Sequence, residues 1–173
     1  PQIDQNKDFH IEVTMSKVDG VNNYPYGLVW GLQDADNFYR LTISGNGYYI
    51  HGKEEDNTWH TLIDWTESAH INQGNATNTL SIRKEGNQVK FYINDQYVNE
   101  AEFGKFFGDN VGFVVYNKMR IDFDRILITQ FSPEETQPLP EETQPLPEET
   151  PSLSEKTQPL FKGSDQRIAL VIG

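Results

Sequence analysis

A period of two, restated about every ten residues from Asp8 to Phe131, constrains this chain more than any other feature. In DFHIEVTMSK the apolar Phe9, Ile11, Val13 and Met15 alternate with His10, Glu12, Thr14 and Ser16. An extended backbone puts the two sets on opposite faces, and the apolar face has to be covered. YGLVWGL (26–32), NFYRLTIS (37–44), GYYIHGK (47–53), WHTLIDW (59–65), NTLSIRK (78–84), QVKFYIND (88–95), VGFVVY (111–116) and RIDFDRILITQF (120–131) follow as further strands. The connections carry turn chemistry, in DADN (34–37), SGNG (44–47), KEGN (84–87) and IND (93–95). Asn94 and Asp95 predict a tight turn between FYI and QYV, since short polar side chains tolerate positive φ. No window sustains a helical period beyond two turns, and EFGKFFG (102–108) offers one short helical turn at most. Short, evenly spaced strands with one apolar face predict an all-β fold over residues 1–132, an antiparallel two-sheet jelly-roll sandwich.

The strand pattern stops at a compositional boundary. Of 21 aromatic residues 20 precede Pro133, whereas seven of nine prolines lie at Pro133 or later. Residues 133–160 hold one heptad four times, PEETQPL, PEETQPL, PEETPSL and SEKTQPL. Heptads suggest a coiled coil, but two prolines in each of the first three copies remove backbone donors and break helices. One leucine per copy buries too little to offset chain ordering, so this segment reads as an acidic, extended spacer. At ~3.1 Å per residue its reach is on the order of 85 Å. Residues 161–173 end in DQRIALVIG, a polar lead into an apolar run such as a buried parallel strand shows.

Charge and residue usage exclude several classes. The formal net charge is −12, with 14 Lys and Arg against 26 Asp and Glu, and the spacer alone, with seven Glu and one Lys, supplies −6 of it. Acidity argues against nucleic acid and anionic membranes as partners. The absence of cysteine excludes a disulfide framework, a thiolate metal site and a cysteine nucleophile within these residues. No run approaches the ~18 apolar residues of a membrane-spanning helix.

The order of landmarks, an IEV-containing first strand, then YGLVWG, DADNFYRLTIS, GYYIHGK, VKFYIND, VGFVVY and IDFDRILI, resembles the concanavalin A-like lectin/glucanase superfamily over residues 8–131. Its laminin-G-like and DUF1080-like (3-keto-disaccharide hydrolase) bacterial modules are the most similar. The resemblance implies a jelly roll, often with a concave face, appended to signalling or protease domains in a binding role. RIALVIG is similar to the opening strand of caspase-like domains (peptidase C14, metacaspase-type). That likeness implies a truncated α/β domain at 161–173, a cysteine peptidase as the parent protein, and a cytoplasmic setting; the residues themselves leave the compartment open.

Candidate chemistry within the sandwich divides into metal, catalysis and binding. His10, His51, His60 and His70 show no zinc-ligand spacing and read as surface-facing strand or loop residues. Asp34, Asp36 and Asn37 could offer oxygens to Ca²⁺, but the loop pattern is incomplete, so a hairpin turn is the simpler reading and no cofactor is expected. The glucanase branch carries catalytic carboxylates as E-x-D-x-x-E, which is missing; Asp122 and Asp124 share a strand face opposite Ile121, Phe123 and Ile126 and read as exposed. Binding is favoured by the excess of amphipathic aromatics. Tyr39, Leu41 and Ile43 share one face of their strand, leaving Phe38, Arg40 and Thr42 on the other, and adjacent Tyr48 and Tyr49 point to opposite faces. Arg40, Tyr48, Tyr49, His51 and Trp59 fall on successive hairpin strands and form the candidate ligand surface. The expectation is a non-catalytic recognition module for a carbohydrate or protein ligand, attached by the spacer to a caspase-like peptidase. A sugar-active hydrolase and a structural protein-interaction domain are the alternatives.

Overall fold

The computed structural model describes residues 2–131. The spacer at 133–160 and the proposed opening strand at 161–173 lie outside them. Ten strands form two antiparallel five-stranded sheets. In chain order they are β1 (Asp8–Asp19), β2 (Pro25–Asp34), β3 (Asn37–Ser44), β4 (Tyr48–Glu55), β5 (Thr58–Glu67), β6 (Thr77–Glu85), β7 (Gln88–Ile93), β8 (Gln96–Glu102), β9 (Asn110–Val115) and β10 (Arg120–Phe131). One sheet runs β10-β1-β6-β7-β8 and the other β5-β4-β3-β2-β9. Among the described residues no helix is long and apolar enough to cross a membrane.

Local sequence explains most of the hairpins. Asp56–Asn57 and Asn94–Asp95 have φ of 50°, 58°, 50° and 64°, the pairs of positive angles that a two-residue turn between right-twisted strands needs. Glu55 therefore pairs with Thr58, and Ile93 with Gln96. β8, foreshadowed only by QYV after the predicted turn, hydrogen-bonds along β7 as that turn requires. Residues 103–109 make no helical turn: after Glu102 closes β8, the loop is irregular and drives Phe103 and Phe106 against Phe9, with ring centroids 6.2 and 5.6 Å away. Burying three aromatic rings at the open end of the sandwich outweighs one turn of helical hydrogen bonds. Gly31, at φ +58°, accommodates this loop. The β2 register slips there, and a side chain at that position would meet the Phe106 ring at 2.9 Å.

The core follows the alternation. Phe9, Ile11, Val13, Met15, Leu80, Ile82, Phe91 and Ile93 face Tyr26, Leu28, Trp30, Tyr39, Leu41, Ile43 and Tyr49 across the interlayer space. Trp30, His51 and Phe91 make its aromatic centre, with His51 stacked on Trp30 at 5.2 Å and tilted by 45° against Phe91 at 4.4 Å. Truncating a ring such as Trp30 would cost about 3–5 kcal/mol. The β1 alternation also sends Lys17 inward, where its ammonium donates to the Gly20 carbonyl and to Asn75 Oδ1, both at 2.7 Å. A buried cation with two acceptors at the sheet end is a satisfied one.

Candidate functional site

The outer face of the sheet β5-β4-β3-β2-β9 carries side chains that the core does not use. Hydrogen-bonded register aligns Thr61, Gly52, Arg40, Val29 and Gly112 in one row across all five strands. Because the β4–β5 turn has only two residues, Trp59 pairs with Glu54 and its indole reaches back over Gly52. A Cβ at Gly52 would lie 2.5 and 2.6 Å from indole carbons, so the ring needs glycine beneath it. Arg40 stands beside that glycine and sets its guanidinium 3.8 Å from the Trp59 ring centre, with the Tyr116 ring at 5.0 Å. Trp59 Nε1–H donates to Thr61 Oγ1 at 2.9 Å, fixing the indole in this pose.

The arrangement holds a cation without an acid. Among the described residues no carboxylate comes within 4 Å of Arg40, and its Nε is buried with no hydrogen-bond partner. Burial draws the Arg40 pKa below its ordinary value, opposed by the negative charge of Glu54. A guanidinium stays protonated at neutral pH even so. Two residues along the same face, Thr42 is fully buried and its Oγ1 has no partner. Four residues further along β3 and β4, at the other end of the sheet, Tyr48, Trp65, Ser44, Asn46 and Asn23 line an open cavity of about 280 Å³. The face thus offers flat rings and guanidinium N–H donors, which suits a ligand rich in both C–H faces and hydroxyls.

Of the five residues singled out from sequence, Arg40, Tyr48 and Trp59 stand on this outer face. Tyr49 and His51 do not: each is 2% exposed and belongs inside. Tyr49 donates its hydroxyl to the Val98 carbonyl at 3.2 Å, across to the other sheet. His51 Nδ1–H donates to the Arg40 carbonyl at 3.0 Å, and burial pulls its pKa down to about 4. The reading of all four histidines as surface-facing fails at His51, because β4 alternates Tyr49, His51 and Lys53 toward the core and the apolar slot between Trp30 and Phe91 accepts a neutral imidazole ring. Gly52, Thr42, Trp65 and Tyr116 were missed. Gly52 was legible in principle from the two-residue turn EDNT (55–58), which aligns Trp59 with Glu54 and so brings the indole within reach of Gly52; Tyr116 was not, because β9 joins β2 through a long crossover.

The remaining candidates are turn and surface residues. Asp34 accepts from the Asp36 backbone N–H, from Asn37 Nδ2 and from Gln33 Nε2, at 2.9, 3.0 and 3.2 Å. These bonds, that from Asn37 first, hold its pKa below the ordinary value and commit its oxygens to the β2–β3 hairpin. Among the described residues no cluster of three or more His, Cys, Asp or Glu could hold a metal ion. Asp122 and Asp124 are exposed on the outer side of β10, one beside Arg120 at 3.6 Å and the other 3.5 Å from Ser16 Oγ.

No family model matches the chain, and no curated protein does. Solved structures do resemble it. The carbohydrate binding module CBM66 from Bacillus subtilis superposes with a TM-score of 0.60 at 22% identity, over 70% of this chain and 74% of that one. A human galectin-16 variant gives 0.61 at 12% identity, over 76% and 94%. The GH43 protein BlXynB from Bacillus licheniformis gives 0.53 at 12%, over 74% of this chain but only 28% of that one. These likenesses establish the fold, a two-sheet sandwich of the lectin and carbohydrate-binding-module type that is consistent with the concanavalin A-like expectation.

Proposed function

We propose that residues 2–131 are a non-catalytic carbohydrate-recognition module that holds a saccharide against the outer face of β5-β4-β3-β2-β9. One observation carries the reading: the Arg40 guanidinium lies on Trp59 above Gly52 with no acidic partner, beside the orphaned Thr42 Oγ1. Stacking holds the arginine in place before a ligand arrives, which lowers the ordering cost of binding. Its N–H donors then meet ring hydroxyls or the ring oxygen, while Trp65, Tyr48 and Tyr116 offer flat apolar surface to sugar C–H groups. The fold's similarity to a carbohydrate binding module and to galectins supports the same class.

A glycan array followed by calorimetry tests this. A neutral oligosaccharide should bind the full chain, and Trp59→Ala and Arg40→Ala should each weaken it by at least tenfold while thermal unfolding remains cooperative. Binding that survives both substitutions, or no glycan binding at all, refutes the reading.

On the sequence resemblance, the heptad segment would act as a spacer joining this module to a caspase-like peptidase that begins at 161–173. The module would then raise the local concentration of the peptidase at a glycosylated target, the advantage of tethering two independently placed domains.

A further inference from the structure

We propose that the opposite sheet carries a second, separate site that binds a sugar bearing a carboxylate, a hexuronate, through Arg83 and His10. The saccharide half of this inference rests on the carbohydrate reading above, whereas the carboxylate half stands on the geometry around Arg83.

Register on the outer face of β10-β1-β6-β7-β8 sets Thr129, His10, Arg83 and Lys90 in one row and Leu127, Glu12, Ser81 and Tyr92 in the next. Within these two rows His10 Nε2, Arg83 Nε and Ser81 Oγ are buried and have no hydrogen-bond partner. Buried polar atoms are nearly always paired, and two of these orphans, on His10 and Arg83, belong to residues that line one cavity, which marks a place where a partner belongs. Arg83 is steadied by the Tyr92 ring, 4.2 Å from its guanidinium carbon, as Arg40 is by Trp59.

The acids nearby are committed elsewhere. Glu85 holds Lys90 at 2.6 Å, Glu12 holds Arg125 at 2.7 Å with its other oxygen 4.0 Å from His10 Nε2, beyond hydrogen-bond reach, and Asp8 accepts from Lys84 at 3.3 Å and from the Gly86 N–H at 2.8 Å. Among the described residues that leaves Arg83 as a cation with no counterion, at the wall of a cavity of about 420 Å³. Phe131, 40% exposed, forms another part of the wall. The volume lies within the range of small-molecule sites and accommodates one acidic sugar with room for its neighbour.

A guanidinium fork matches a carboxylate bidentately. A hexuronate brings that carboxylate together with hydroxyls, which can satisfy His10 Nε2; a bare carboxylate could satisfy only Arg83. A phosphate dianion is disfavoured by Asp8 and Glu85 in the wall, whose repulsion grows with ligand charge. An apolar face of the pyranose would rest on Phe131.

The test titrates the full chain with methyl glucuronoside, methyl glucoside, acetate, inorganic phosphate and a glutamate-containing peptide, read by calorimetry and by amide NMR shifts. The glucuronoside should bind at least tenfold more tightly than the other four and shift the His10, Arg83 and Phe131 amides. Arg83→Gln should abolish the binding, Arg83→Lys should recover part of it, and Trp59→Ala should leave it unchanged. The charges acting on His10 are Arg83 from β6, Glu12 on its own strand and Asp95 from the β7–β8 turn, with Arg125 of β10 held on Glu12; a carboxylate added to that set favours the imidazolium, so the His10 NMR titration should move upward on saturation. Should Arg83→Gln fail to fold, His10→Gln serves instead and should weaken binding severalfold. Equal affinity for the neutral glucoside, the peptide or phosphate overturns the proposal, as does undiminished binding in the Arg83 variants or no glucuronoside binding. Loss of neutral-sugar binding in Trp59→Ala with retained glucuronoside binding separates this site from the one on the other sheet.

Discussion

His51 supplies a pH-dependent stability term whose size follows from its surroundings. Packed between Trp30 and Phe91, it has its pKa pulled by burial from 6.5 down to about 4, against the opposing pull of the hydrogen bond to the Arg40 carbonyl. In the unfolded chain the imidazole takes up a proton below pH 6.5, and in the folded chain only near pH 4. The unfolded state therefore binds more protons across that window, and stability falls with pH: the contribution is whole above 6.5 and is lost progressively toward 4. At ~1.36 kcal/mol per pKa unit the limit is about 3 kcal/mol, and about 2.5 kcal/mol is already lost at pH 4.5. Replacement by phenylalanine keeps a ring in the slot and removes the titration. It also removes the bond to the Arg40 carbonyl, at a cost of about 1 kcal/mol that does not vary with pH. Urea unfolding followed by tryptophan fluorescence at pH 7.5 and 4.5 gives the stability lost by each protein over that interval. Carboxylates and the other histidines contribute equally to both and cancel, so the wild type should lose about 2.5 kcal/mol more than His51→Phe. Equal losses would show that His51 is not held neutral by the core, and the argument from burial would fail.

Gly52→Ala should separate the binding face from the core. The new methyl would meet the His60 carbonyl oxygen of β5 as well as the Trp59 indole, whose nearest ring carbons lie 2.5 and 2.6 Å away, so both the β4–β5 pairing and the ring must shift, and we expect a stability loss of about 1–3 kcal/mol with at least tenfold weaker neutral-glycan binding. Unchanged glycan affinity would mean that Trp59 is not part of the site. If a peptidase domain follows Gly173, deleting residues 133–160 should reduce glycan-stimulated cleavage while leaving both glycan affinity and basal cleavage intact; unaltered stimulation would refute the tethering role.

Much of the sandwich was legible because its signals are local. Alternation in β1 alone assigned Phe9, Ile11, Val13 and Met15 to the core, and each is fully buried. Asn94 and Asp95 declared their turn, and the structure holds both at positive φ. The opposition of Tyr39 to Arg40, and of Tyr48 to Tyr49, followed from the pleat and was found. What alternation cannot supply is which of two faces is covered. It separated Tyr48 from Tyr49 but could not say that Tyr49 and His51 lie inside, since that depends on the other sheet bringing Phe91 and Val98 across.

The sequence by itself determined the all-β class, the strand positions within a few residues, the break at Pro133 and the presence of more aromatic rings than a core consumes. These are properties of adjacent residues, set by φ/ψ preference and hydrophobic period. The tertiary structure alone decided the neighbours across strands: β9 beside β2, which sets Tyr116 near Arg40, and β6 beside β1, which sets Arg83 opposite His10. Both proposed sites are built from such long-range pairings, and which strands pair is fixed by how two apolar faces of fixed twist cover one another, a condition that no single segment of the chain expresses.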